Sequence, residues 1–306
     1  MQHLLAFNEN VTLAELNEVE PFSQGGFCVI CSCVYRGQQA VLKIPKPATA
    51  SSRSGGAARD LLTEISIYRQ ISQRGGHPNI ARAFGAGTHV QQGETSPSPF
   101  LLLERLEGGT LENAFERSTA VWSDPIGRLP VAIELAEAVA FLHEAAIPGG
   151  VVLHSRDLKP SNIGLCGAGH IKVFDLGLSV VRQVLEAPTR VYEMSGMAGS
   201  KRFMAPEVCT GLSYNEKVDV YSFALVLWQI CALRKPFAGM SEADHYLQVV
   251  QGGLRPPLDA RWPPQLVHLL QACWHVHPDA RPTMVQARDT LRQIFAMGGG
   301  GGAPPY

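Results

Sequence analysis

Nine consecutive residues, His154-Ser155-Arg156-Asp157-Leu158-Lys159-Pro160-Ser161-Asn162, constrain this chain more than any other stretch. They place an acid, a cation and a carboxamide at positions 157, 159 and 162. That spacing suits one turn of irregular loop holding three polar groups around one reacting centre. An aspartate there can orient a hydroxyl and accept its proton, a lysine can neutralise a phosphate, and an asparagine can bind a metal ion. Further on comes Asp175-Leu176-Gly177, a second carboxylate beside a flexible glycine. Taken singly, each of these also reads as part of a solvated loop of mixed charge.

The 306 residues suffice for two lobes of ordinary size. With 45% hydrophobic and 17% charged residues, the chain is globular and rather apolar, not disordered. The formal charge of −1 supplies no field that would draw nucleic acid or an anionic membrane surface. Seven cysteines, an odd number without framework spacing, fit reduced thiols in a cytoplasmic setting. Cys28, Cys31 and Cys33 lack a second ligand group at a zinc-like interval, and Cys31 and Cys33 alternate as a strand would. The amino terminus has no basic region followed by an apolar core, which argues against a secretory signal. The longest apolar run, 220–233, is interrupted by Ser222 and Gln229. It is too short to span a bilayer and reads as a buried helix.

Along the chain, residues 1–20 read as a lead-in with a possible first strand. From 22 to 44 the pattern becomes glycine-punctuated strand, with Val29, Cys31, Cys33 and Tyr35 on one face and a turn at 37–39. Residues 45–58 are mostly Pro, Ser, Ala and Gly without period, a loop. A helix is expected from Ala57, its stripe formed by Leu61, Ile65, Tyr68 and Ile71. Short strands are expected at 80–85 and 100–104, then a hinge at 104–109. Beyond it the chain turns helical: 110–116; 124–144, capped by Ser123 or Asp124; 218–232; and segments near 242–251, 263–273 and 283–296. A small strand pair, 163–165 with 171–173, follows the central loop, and 178–204 reads as a long loop. The tail 297–306 is low in complexity.

The string 154–162 together with Asp175-Leu176-Gly177, Met204-Ala205-Pro206-Glu207 and Asp279-Ala280-Arg281-Pro282 resembles the eukaryotic protein kinases, most closely the tyrosine-kinase-like branch of Ser/Thr kinases, over roughly residues 15–295. The resemblance implies a bilobal α+β fold within 1–296. A small antiparallel-sheet lobe with one helix would occupy about 15–104, and a larger helical lobe about 110–296. It implies ATP and Mg²⁺ between the lobes and protein substrates phosphorylated on Ser or Thr. Asp157 would act as catalytic base, Lys159 would contact the γ-phosphate, and Asn162 and Asp175 would hold Mg²⁺. Lys43, which ends an apolar strand and taken alone also reads as a strand-edge lysine, would bind the α- and β-phosphates with Glu64 as its partner. Gly25 and Gly26 would lie over the phosphates. Val41, Leu103, Glu104 and Leu106 would surround or hydrogen-bond the adenine. Glu207 would pair with Arg281, and Asp219 would cap the buried helix and bond the catalytic-loop backbone.

Several positions depart from the family pattern. The glycine loop reads Ser23-Gln24-Gly25-Gly26-Phe27-Cys28, and Cβ atoms at 23 and 28 predict weaker or slower nucleotide binding. Ser155 stands where the family has His, with His154 one residue early. Val41 and Gly164 replace a smaller and a larger residue of the adenine pocket, which predicts a nucleotide displaced towards the helical lobe. Arg156 beside Asp157 suggests control by a phosphate at Ser179, Thr189, Tyr192 or Ser195. Thr110 and Ser161 argue against a strong preference for basic substrates. Two rivals stand beside the enzyme: a catalytically weak pseudokinase scaffold, and a small-molecule kinase of related fold.

Overall fold

The computed structural model describes residues 6–24, 28–46, 56–90, 96–117, 125–147, 151–154, 157–167, 169–183, 201–212 and 214–298. Five antiparallel strands build the first lobe: β1 (Leu16–Gln24), β2 (Cys28–Tyr35), β3 (Gln38–Pro45), β4 (Ala83–His89) and β5 (Ser98–Glu104). Their order is β1-β2-β3-β5-β4. The β2–β3 hairpin turns on Arg36 and Gly37, both at positive φ (49° and 76°), the combination that matches strand twist in a two-residue hairpin. The expected strand at 80–85 begins at Ala83. Ile80 instead bridges Val173 in the other lobe.

Period-two alternation divides the run 100–103 between two cores. Phe100 and Leu102 pack with Leu16, Cys31, Cys33, Tyr35, Leu42 and Phe84, while Leu101 and Leu103 join the large cluster shared with the helices. Cys31 and Cys33 thus serve as small apolar side chains. Across the sheet lies α1 (Gly56–Gln73), which buries Leu61, Glu64, Ile65, Ile67, Tyr68 and Ile71. Ahead of β1, the chain runs beside β4. Asn8 and Val11 donate to the carbonyls of Phe84 and Ala86, and Ala86 donates back to Asn8. Gly85 and Gly87 permit this approach, since a Cβ on either would sit 2.2 or 2.0 Å from a backbone oxygen of that segment.

The second lobe comprises α2 (Leu111–Arg117), α3 (Leu129–Glu144), β6 (Val151–His154), β7 (Ile163–Leu165), β8 (Ile171–Val173), β9 (Val180–Gln183), α4 (Pro206–Cys209), α5 (Lys217–Ala232), α6 (Glu242–Asp244), α7 (Pro264–Cys273) and α8 (Met284–Met297). The helix expected from residue 124 starts at Leu129, behind a single 3₁₀ turn Ile126–Arg128. Gly127 is a poor helix former, and the proline in the first turn of α3 sets its start. Ser123 and Asp124 lie outside the described residues. The segment 178–204, expected as loop, opens with β9, which pairs with β6. Every residue from Val218 to Cys231 is buried, as befits a helix apolar on all sides. After α6 the helix widens into π-helical turns over His245–Gln251.

Candidate active site

The site lies where the sheet meets the second lobe. Strand alternation sends Leu42 into the sheet core and turns Lys43 the other way, towards α1. On α1, Glu64 falls three residues after Leu61 and is fully buried. Lys43 Nζ lies 2.7 Å from Glu64 Oε2 and 2.7 Å from Asp175 Oδ1. One ammonium therefore joins a strand, a helix and the segment after β8. Asp175 adopts φ +61°, a left-handed conformation rare for any residue but Gly, Asn or Asp. Leu176 beside it is fully buried, and its amide donates to Glu64 Oε1 at 3.2 Å. Glu64 thereby fixes both the lysine and the acidic turn.

Charge distribution follows from burial and pairing. Burial opposes the Lys43 charge, but Glu64 and Asp175 outweigh it and hold the ammonium charged well above its ordinary range. Burial pushes the Glu64 carboxyl up, partly offset by Lys43. At Asp175 burial also pushes up, yet Lys43 prevails and keeps the carboxyl below the usual range. The Asp175 side chain is 40% exposed, so it presents a carboxylate to the cleft.

A second cluster sits on the loop before β7. Lys159 Nζ donates to both Asp157 oxygens at 2.9 and 2.7 Å. Asn162 Nδ2 donates to Asp157 Oδ2 at 2.9 Å and to the Asp157 carbonyl at 3.0 Å. Pro160 opens a 3₁₀ turn that carries Asn162 back beneath Asp157. Phe174 donates to the Asn162 carbonyl, tying this loop to the Asp175 turn. Burial pushes the Asp157 carboxyl up, and Lys159 and Asn162 only partly reverse that.

Metal geometry can be judged from the donors. The Asn162 amide nitrogen is occupied by Asp157, which leaves its oxygen, and Asp175 keeps a carboxylate oxygen beyond the one bonded to Lys43. Two oxygen donors suit Mg²⁺, which binds through one or two carboxylates and completes its shell with water and phosphate. No group of three or more His, Cys, Asp or Glu among the described residues is placed to hold a metal ion.

Around the expected adenine site, Val41 pairs with Leu103 and Ala40 with Glu104. The Glu104 carboxylate accepts from Lys172 Nζ and from the Arg82 amide, both at 2.6 Å. The room left by Gly164 is not open. A Cβ there would lie 2.2 Å from Leu106 Cδ1, so Leu106 fills it. The floor space from which a nucleotide displaced towards the helical lobe was expected is therefore already taken. Gly25 and Gly26, with Arg156 and Ser155, lie outside the described residues, as do Thr189, Tyr192 and Ser195. Ser23 is exposed at the end of β1, and Cys28 is buried, its thiol pushed up to about 11 by burial against the pull of Lys43. Ser179 is 4% exposed, which removes it as an accessible phosphate acceptor in this conformation.

Support comes from beneath. Arg281 is buried and grips Glu207 with two nitrogens, at 2.6 and 3.0 Å, while also donating to the carbonyls of His275 and Lys217. Asp219 is not the N-cap residue of α5, which is Glu216, and its other expected partner, the catalytic-loop backbone, includes positions 155 and 156 outside the described residues. Asp219 sits in the first turn and meets His143 Nε2 at 2.9 Å. His143 had been legible only as part of an apolar stripe, and nothing in its spacing announced a carboxylate partner 76 positions away.

A family model described as protein kinase domain matches residues 16–291. Among curated proteins, a probable serine/threonine-protein kinase of Dictyostelium discoideum is 30% identical over 93% of this chain and 28% of its own length. Mitogen-activated protein kinase kinase kinase 7 of Drosophila melanogaster is 30% identical over 93% of this chain and 38% of its own. A dual specificity protein kinase of Dictyostelium discoideum is 27% identical over 89% of this chain and 35% of its own. The chain therefore spans well under half the length of these relatives.

Proposed function

This chain belongs to the protein kinase domain family, and on that premise we propose that it transfers the γ-phosphoryl group of ATP to serine or threonine hydroxyls of protein substrates. One observation carries the proposal: the ammonium of Lys43 held between Glu64 and Asp175, facing a loop on which Asp157, Lys159 and Asn162 are already bonded to one another. The names of relatives as serine/threonine-protein kinase support the acceptor.

Phosphoryl transfer asks the protein for position and charge more than for covalent chemistry. Lys43, kept charged and immobile, would hold the α- and β-phosphates. Asp157 would orient the acceptor hydroxyl and take its proton, while Lys159 would neutralise charge on the transferred group. Asn162 and Asp175 would hold Mg²⁺, which when bound supplies electrostatic stabilisation to the phosphate oxygens. Val41, Leu103 and the Glu104–Leu106 backbone would seat the adenine, with Gly25 and Gly26 above the phosphates. No observation favours the scaffold reading, since every described residue proposed to meet phosphate or metal has the chemistry that task needs. Seven free thiols support a reducing, cytoplasmic setting, and among the described residues no helix is long and apolar enough to cross a membrane.

The test is incubation with radiolabelled ATP, Mg²⁺ and a generic protein substrate, comparing wild type with Asp175→Asn. Label in wild type and its near absence in the variant is the expected result; equal label in both would sink the enzyme reading. Phosphoamino-acid analysis of the same product separates serine and threonine from tyrosine.

A further inference from the structure

On the substrate side of Asp157 a cavity of about 240 Å³ opens between the catalytic loop, the segment before α4 and the chain around α6. Four cations line it, Lys159, Lys201, Arg202 and Lys235, against two carboxylates, Glu112 and Glu242. The acids stand at its edge. Glu242 is 76% exposed and pairs with Lys201 at 2.5 Å, and Glu112 pairs with Lys235 at 3.0 Å. Exposed pairs of this kind contribute little, so an incoming anion can displace either carboxylate. Arg202 uses Nη1 on the Pro236 carbonyl, only one of the guanidinium's several donors.

Two further features mark the cavity as built. His245, 8% exposed, contributes to its lining, and its Nε2 has no hydrogen-bond partner among the described residues. Phe237 holds the left-handed conformation (φ +53°) and sets its ring edge-on to that imidazole, 5.2 Å between centroids. Strained backbone and an unsatisfied buried nitrogen both need a reason, and a polar group entering the cavity would provide one.

We propose that this cavity receives an anionic side chain, carboxylate or phosphate, borne by the protein substrate about one or two residues from the acceptor hydroxyl. Lys159 sets that distance, because it forms part of the cavity lining and also touches the Asp157 carboxylate at 2.7 Å. An extended peptide advances about 3.3–3.6 Å per residue. The proposal rests on the kinase reading for its occupant and on the cations for its chemistry.

A peptide series with one serine acceptor, flanked by Asp, phosphoserine, Ala or Lys, tests it through two readouts. One is kcat/KM; the other is anisotropy of fluorescein-labelled peptides without ATP. Wild type is expected to favour Asp or phosphoserine over Ala by about tenfold in both. The Lys201→Ala/Lys235→Ala variant should lose that preference with turnover of the Ala peptide unchanged. Glu242→Gln, which removes a competing carboxylate, should widen it, a gain that a poorly folded protein would not give. Phosphoserine well above Asp assigns the occupant as phosphate, and parity assigns a carboxylate. Equal use of all flanks by wild type, or a preference that survives in the double variant, overturns the proposal. Anionic peptides bound selectively but never labelled would count against phosphoryl transfer and leave the pocket standing. A labelled Ala peptide without anion preference would sink the pocket alone.

Discussion

At Asp157, burial raises the carboxyl while Lys159 and Asn162 lower it, and burial prevails. Only the deprotonated form accepts a proton, so activity falls as pH drops through this pKa, and the acid limb lies above that of an ordinary aspartate. Lys159→Met removes the cation that opposes burial. The limb should therefore move to still higher pH, beyond the loss in rate, while Lys159→Arg leaves it near wild type. A profile of kcat/KM against pH reads this directly, and an unmoved limb would assign it to another group. At this scale the sequence was informative wherever chemistry resides in the side chain itself. Asp157, Lys159, Asn162 and Asp175 announce what they can do by type and interval. Gly164 stood out as small, but that Leu106 fills its space was invisible, because that fact is a contact between positions 58 apart.

Among elements, legibility followed periodicity. The stripe of α1 and the unbroken apolar surface of α5 are strong signals at 3.6 residues per turn, and both helices lie where the pattern puts them. Strand β9 has four residues and no pattern of its own, since its partner β6 supplies the reason it is a strand. The segment 8–11, bonded along β4 without being a strand, escaped notice likewise, its only trace being Gly85 and Gly87. Gly87→Ala would press a Cβ against the Val11 carbonyl. It should destabilise the chain by about 1–3 kcal/mol and speed hydrogen exchange at the Asn8 and Val11 amides without altering the Lys43 site. The clamp from Arg281 to Glu207 between α4 and the chain before α8 makes a sharper case. Arg281→Ala leaves a buried carboxylate alone, at a cost of about 3–5 kcal/mol. Arg281→Met with Glu207→Leu removes both charges and should recover much of that loss. Denaturant midpoints of the single and double variants decide it, and equal loss in both would mean that the pair acts through shape rather than charge.

Across the whole molecule, the two lobes are joined by more than the segment after β5. Residues 79–81 exchange backbone bonds with β8, through Val173 to the Asn79 carbonyl and Ala81 to the Val173 carbonyl. Asn79 also donates from its side chain to Ile171, and Lys172 reaches Glu104. A ligand seated between the lobes adds its own contacts to these and stabilises the folded state by mass action. Mg²⁺ with ATP at a hundredfold excess over Kd adds about 2.7 kcal/mol. With an unfolding entropy of about 2.1 cal/mol/K per residue, that is a rise of about 4 °C in Tm. Chelation by EDTA or Asp175→Asn should abolish most of it, and a full rise without divalent cation would contradict the assignment of Asn162 and Asp175. Below the adenine site, the chain from Leu106 to Thr110 is laid against β7, with Gly108 and Gly164 each within 2.6 Å of a neighbour's side-chain carbon if given a Cβ. For a lineage descending from this chain, that contact imposes an order of events. A bulky residue enters at 164 only once the residue at 106 has turned its Cδ1 aside or shrunk, so reversion to the commoner arrangement starts at 106.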